Sequence, residues 1–154
     1  RALGNRSILV RPDDAAMNDW LNERLGRSEF MPFAPISLAQ AADDLYSIND
    51  AIRPCLPFMT AAVPMNRPED PSHAGVTHVD GTARPQILSQ KTNPGMHSIL
   101  QSFHKKSGIA SLVNTSFNRH GEPIVCSPED ALKTFLSSKL DALALGPFLL
   151  VQGG

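Results

Sequence analysis

Apolar residues along this chain fall into short runs of two different periods, and the alternation between them predicts the elements. Arg6 to Pro12, RSILVRP, is a continuous apolar run closed by proline, the mark of a short buried strand. From Met17 the period changes. Met17, Trp20, Leu21 and Leu25 share one helical face, with Asp13 or Asp14 as the cap and Gly26 as the stop. FMPFAPIS is extended and punctuated by proline, and a second helix is expected from Ser37 through Leu38, Ala41, Ala42, Leu45 and Ile48. Cys55 to Val63 predicts a strand. Pro64 to Gly75 is dense in proline and polar residues and predicts a mobile surface loop. VTHVDGTARPQIL predicts two short strands about an Asp80–Gly81 turn.

The third helix is the best signalled. Asn93 caps it, Pro94 occupies the first turn, Met96, Ile99, Leu100 and Phe103 form its stripe, and Gly108 ends it. Ile109 to Val113 reads as a buried strand. Ser127-Pro-Glu-Asp130 is a capping box opening a helix that carries Ala131, Leu132, Phe135 and Leu136. LDALALGPFLLVQ closes the chain as two apolar strands broken at Gly146–Pro147. Strands and helices that alternate in this way predict an α/β domain built on one mixed sheet.

Composition narrows the functional classes. A chain of 154 residues fits one domain, 1–154, long enough to bury about 70% of its unfolded surface. Lysine plus arginine (14) nearly balances aspartate plus glutamate (15), so no global field favours nucleic acid or a membrane surface. Cys55 and Cys126 make no disulfide framework; their proline-flanked, apolar surroundings lead us to expect buried free thiols in a reducing cytoplasm. No apolar run approaches the roughly 20 residues of a membrane span.

Neither common phosphate-binding loop is present, nor is His-Glu-x-x-His. The five histidines are scattered, and surface positions are expected for His97 and His104. Arginines cluster at predicted element ends: Arg1 and Arg6 bracket ALGN, Arg24 and Arg27 flank Gly26, and Arg84 follows HVDGTA. Their planar donor forks match phosphate and carboxylate oxygens. A helix C-terminus also favours a cation, which by itself explains Arg24. Asn114, Thr115, Ser116 and Asn118, in NTSFN, admit two readings. They suit a turn closed by its own side chains, and they equally suit a polar floor at a strand end in an open α/β sheet.

Four stretches in order, RALGNRSILVRP, MNDWLNERLGRSEFMPFAP, THVDGTARPQ and LVNTSFNRHGEPIVCSPEDAL, resemble the C-terminal region of the NodU/CmcH-type O-carbamoyltransferases. The resemblance implies a YrdC-like α/β domain with a twisted mixed sheet and packed helices. It also implies a longer protein, with an actin-like, metal-containing transferase domain preceding Arg1. In such a protein carbamoyl phosphate and ATP give carbamoyl adenylate and pyrophosphate, with Mg²⁺ carried on the nucleotide. The carbamoyl group then passes to a hydroxyl of a sugar, antibiotic or nodulation factor.

YrdC-like domains carry a Ser-x-Asn pair, matched here by Ser116 and Asn118, with Asn114 beside it, and a Lys-x-Arg pair. Arg27 matches that arginine, but Leu25 stands where the lysine is expected, and Arg24 is the nearest cation to replace it. Arg6 and Arg84 match the arginines of the other two motifs and are expected to hold phosphate. No residue is marked as a nucleophile. An RNA-binding module and a catalytically silent interaction half are the alternatives; the balanced charge and few aromatics weigh against RNA.

Overall fold

A computed structural model describes residues 2–27 and 33–152. Four strands form the main sheet: β1 (Ser7–Val10), β2 (Ala34–Leu38), β5 (Gln86–Leu88) and β6 (Ser111–Ser116), in the order β1-β6-β2-β5. Strand β6 runs antiparallel to both β1 and β2, whereas β2 and β5 are parallel, so the sheet is mixed. Two small ribbons flank it: β3 (Val63–Pro64) with β4 (Thr82–Ala83), and β7 (Ala142–Leu145) with β8 (Phe148–Val151). The helices are α1 (Met17–Leu25), the single turn α2 (Ala42–Leu45), α3 (Pro94–Ser107) and α4 (Pro128–Ser138).

Successive strand residues point to opposite faces, and the core divides accordingly. On one face, Ile36, Leu38, Leu88 and Leu112 pack under Met96 and Leu100 of α3. On the other, Ile8, Val113 and Phe117 meet Leu21 and Leu25 of α1 and Ala131 and Phe135 of α4. A third cluster joins Tyr46, Leu56, Val63, Met65 and Ala83. Both long amphipathic helices start where the sequence signals them. The Asn93 side chain accepts from Met96 N at 3.1 Å, and Ser127 and Asp130 form a reciprocal capping box. Helix α1 ends at Gly26 in the left-handed region, φ 66°.

Several elements differ from expectation. Ser37 does not start a helix; it lies in β2, because β2 is sandwiched between β6 and β5 and that pairing outweighs local capping preference. Cys55 to Val63 is not a strand. Pro54 and Pro57 fall in a 3-10 turn, Arg53–Phe58, where a proline-poor sheet ladder has no place for them. The Asp80–Gly81 turn exists, with Gly81 at φ 76°, but no strand precedes it; β4 pairs instead with β3. The segment 64–75 is a surface loop over Asn66–Glu69, as expected, but its end is tied to the core: His73 is buried and reaches Ser111, and Gly75 N donates to Pro12 O at 2.7 Å.

Cys55 and Cys126 are both exposed, not buried. Cys55 sits on the 3-10 turn whose buried member is Leu56, and the backbone of Cys126 is turned outward into the α4 cap through Asp130. His97 and His104 are half-buried, and Ile99 and Leu136 of the predicted stripes are exposed.

Candidate functional site

The sheet end where β6 stops and β1, β2 and β5 begin collects the residues that the sequence singles out. Ser7 of β1 lies opposite Ser116 of β6, which brings Arg6 beside the Ser116–Asn118 motif; Phe117 N donates to Arg6 O at 3.0 Å. Arg6 Nη1 donates to Val125 O at 3.1 Å and lies 3.6 Å from Cys126 Sγ, so its guanidinium is held against the loop leading into α4. Among the described residues, the Ser116 side chain has no hydrogen-bond partner. Arg27 emerges just past Gly26, donates to Thr115 Oγ1 at 3.2 Å and lies 5.5 Å from the Phe33 ring centroid. Arg84 leads into β5 and donates to Met59 O at 3.0 Å.

Asn114 and Asn118 serve different purposes. Asn114 is almost wholly buried; its amide nitrogen donates to Gln86 Oε1 at 2.7 Å and approaches Ala2 O at 3.4 Å. Gln86 in turn donates to Leu3 O at 3.1 Å. Asn114 therefore fastens the segment that enters β1. Asn118 Nδ2 donates to Arg119 O and Glu122 O at 2.9 and 3.0 Å, which is the self-closing turn. Both asparagines keep a buried Oδ1 with no partner.

Arg24 takes another direction. It bonds Lys139 O and stacks on Trp20 at 4.2 Å, which ties α1 to the end of α4. Leu25, in the place of the expected lysine, is fully buried in the core. Arg1 lies outside the described residues. Gln86 and Arg119 are given no role by the sequence reading, whereas Thr115 is named there with the rest of NTSFN. Each directly neighbours or overlaps a quoted motif, ARPQ or NTSFNR, and that adjacency is the signal that was available.

Electrostatics distinguish this region. Among the described residues, the ion pairs are Arg11–Asp13, Arg53–Asp43 and Arg53–Asp50, all at exposed positions elsewhere. Arg6, Arg27 and Arg119 have no carboxylate within ion-pair distance among those residues. Burial holds the Arg27 guanidinium below its usual pKa, so its charge is partly desolvated without a counter-charge. Preorganised positive charge of this kind suits an anion with several oxygens.

A groove of about 640 Å³ opens beside the cluster, along the unpaired edge of β1. Arg6, Ser7 and Ser127 supply its polar wall, and Met96, Leu143 and Leu149 its apolar one. The β7–β8 ribbon beyond it presents Phe148, Leu149 and Val151 at 69, 71 and 67% exposure. Among the described residues, no helix is long and apolar enough to cross a membrane.

Comparison with known proteins agrees with the motifs. The chain is 44% identical over 151 residues to nodulation protein NolO of Bradyrhizobium diazoefficiens, covering 97% of this chain and 27% of that protein. It is 43% identical to the uncharacterized protein MJ1051 of Methanocaldococcus jannaschii, covering 97% and 28% respectively. It is 37% identical over 121 residues to nodulation protein U of Sinorhizobium fredii, covering 79% and 21%. The chain thus spans about a quarter of the length of these relatives, and it matches the C-terminal part of the two nodulation proteins. The family model described as carbamoyltransferase C-terminus matches residues 1–152, and the chain belongs to that family.

Proposed function

We propose that this domain binds ATP and carbamoyl phosphate and forms carbamoyl adenylate, as the C-terminal part of an O-carbamoyltransferase acting in the cytoplasm. The observation that carries this reading is the pair of arginines that have no carboxylate partner among the described residues, Arg6 and Arg27, at the sheet end where β6 stops at Ser116. Two multiply charged anions repel one another, and fixed guanidinium donors offset that repulsion without covalent chemistry. Water releases inorganic phosphate from carbamoyl phosphate. The carbamate oxygen then attacks the α-phosphorus of ATP, a new P–O bond forms, and pyrophosphate leaves.

In this scheme Arg6, Arg27 and Arg84 hold phosphate oxygens, and Ser116 donates its hydroxyl to the carbamoyl or α-phosphoryl group. Asn114 positions the entry to β1 and Asn118 shapes the turn behind Ser116. Arg24 supports the fold and not the ligand. Among the described residues, no three His, Cys, Asp or Glu side chains gather into a metal site. Mg²⁺ is expected to arrive on the triphosphate, where it would supply charge neutralisation. The carbamoyl group would then pass to a hydroxyl held by a preceding, actin-like domain.

A second reading, a catalytically silent half that docks on that domain, draws support from the exposed Phe148, Leu149 and Val151. Carbamoyl-phosphate-dependent exchange of pyrophosphate into ATP separates the two. The first reading expects exchange with this chain, and weaker ATP binding in Arg84→Ala and Ser116→Ala. No exchange, with unchanged affinity in both variants, would refute it.

A further inference from the structure

We propose that Arg119, together with Arg27 and Thr115, forms an oxyanion clamp at the C-terminal end of α1, suited to a phosphoryl group. The identity of that group as part of a nucleotide or pyrophosphate rests on the reading above. The clamp itself rests on geometry.

The loop following β6 is laid against the end of α1, where His120 N donates to Leu25 O at 2.9 Å. This brings Arg119 Nη2 to 3.9 Å from the position a Cβ on Gly26 would occupy. Arg27 is the next residue along α1's exit. Its backbone N donates to Asn22 O at 2.9 Å, and its Nη1 donates to Thr115 Oγ1 at 3.2 Å. The tip of the Arg119 guanidinium therefore reaches the glycine that Arg27 directly follows, although the two residues are almost a hundred positions apart in the chain.

Neither is neutralised. Among the described residues no carboxylate lies within ion-pair distance of Arg27 or Arg119. Among the described residues, the nearest acidic residues in sequence, Glu23 on α1 and Glu122 on the loop, are exposed. Arg24 is turned away to Lys139 O. The Arg119 Nε is buried and has no hydrogen-bond partner. A guanidinium removed from water without a counter-charge or acceptor is costly, and an incoming anion supplies both at once. Thr115 adds a third contact. Its hydroxyl oxygen already accepts from Arg27, which leaves its own O–H free to donate. Two planar forks and a hydroxyl match a tetrahedral oxyanion better than a planar carboxylate, whose oxygens lie in one plane.

The competing role for Arg119 is purely structural, as a cation favoured by the helix C-terminus. Calorimetric titration with pyrophosphate, Mg–ATP, carbamoyl phosphate and acetate, on wild type, Arg119→Gln, Arg119→Lys and Arg27→Gln, separates the two, with Tm measured for each. The clamp predicts that Arg119→Gln weakens pyrophosphate binding about tenfold or more. It predicts partial recovery in Arg119→Lys, little response to acetate in any variant, and similar Tm values. Pyrophosphate affinity unchanged in Arg119→Gln, or no pyrophosphate binding by wild type, would overturn it. ATP binding that is lost in Ser116→Ala but kept in Arg119→Gln removes the clamp and leaves the nucleotide reading. Pyrophosphate binding lost in Arg119→Gln, in a protein that binds neither ATP nor carbamoyl phosphate, does the reverse.

Discussion

Asn114 of β6 and Gln86 of β5 bond to each other across the intervening strand β2, 2.7 Å apart. They meet where β2 offers Ala34, opposite Asn114 in register, so no bulky side chain blocks the bridge. The two amides also hold the carbonyls of Ala2 and Leu3, and so tether the chain ahead of β1. Removing one partner leaves the other buried and unsatisfied. Asn114→Ala or Gln86→Ala is expected to cost about 1–3 kcal/mol. The double variant should lose less than the sum of the two, as urea unfolding of all four proteins would show. Strict additivity would mean that the two amides are not coupled.

A buried relay fastens the segment 64–75. Ser37 Oγ lies 2.7 Å from Tyr46 OH and 2.9 Å from Ser111 Oγ, which is 3.3 Å from His73 Nε2. Burial pushes the Tyr46 phenol up to about 12 and His73 below its ordinary 6.5, the latter against the opposing pull of Asp70 and with some help from Arg67. Both groups are thus neutral in the folded protein. Below pH 6.5 the unfolded chain binds the histidine proton more readily, so stability is full above that pH and declines as pH falls through it. Above pH 10 the unfolded tyrosine ionises first, so stability declines as pH rises towards 12. His73→Gln should flatten the acid limb of a Tm-versus-pH curve, and Tyr46→Phe the alkaline limb. Tyr46→Phe should also cost about 1 kcal/mol near neutrality. Unaltered limbs in both variants would count against the relay.

Gly75 closes the same segment onto the exit of β1. A Cβ there would stand 3.1 Å from both Asp14 O and Pro12 O, and both are backbone atoms. They cannot yield as a flexible side chain would, and Gly75 N already donates to Pro12 O. Gly75→Ala is expected to destabilise by about 1–3 kcal/mol, whereas Gly121→Ala, with open space around its site, should show only the milder strain of its positive φ. Chemical denaturation of the pair tests the ranking.

Phe148 and Leu149 on the β7–β8 ribbon expose large apolar surface beside the groove along β1. The chain by itself is expected to self-associate with rising concentration, and Phe148→Ser with Leu149→Ser should suppress this. Light scattering at matched concentrations is the measurement, and equal association in the double variant is the contrary result.

Legibility in the sequence followed locality. Helices α3 and α4 announce themselves because Asn93, Ser127 and Asp130 satisfy backbone donors within three residues of themselves, a matter of neighbouring positions only. Strand β2 hides because Ser37 has the chemistry of a cap and only distant β5 and β6 make it a strand. The partner of β4 is obscured in the same way, since Val63 and Ala83 meet across twenty positions. Motif order names Arg6 and Ser116, and the β1–β6 pairing brings them to one sheet end. The diversion of Arg24 to Lys139, the structural tie made by Asn114 and the approach of Arg119 to Gly26 all depend on contacts between segments remote in sequence.

The pairing of Ser7 with Ser116 also dictates when the site can exist during synthesis. Strand β1 emerges from the ribosome early, yet its neighbour in the sheet is β6, made about a hundred residues later. Until then Ile8 and Val10 have no ladder to join, and Arg6 has no Phe117 N–H to accept. The proposed anion site therefore assembles late and all at once, in step with the closing of long loops and not with the growth of helices. A nascent chain arrested before Ser111 would carry most of the arginines and no β6 to gather them.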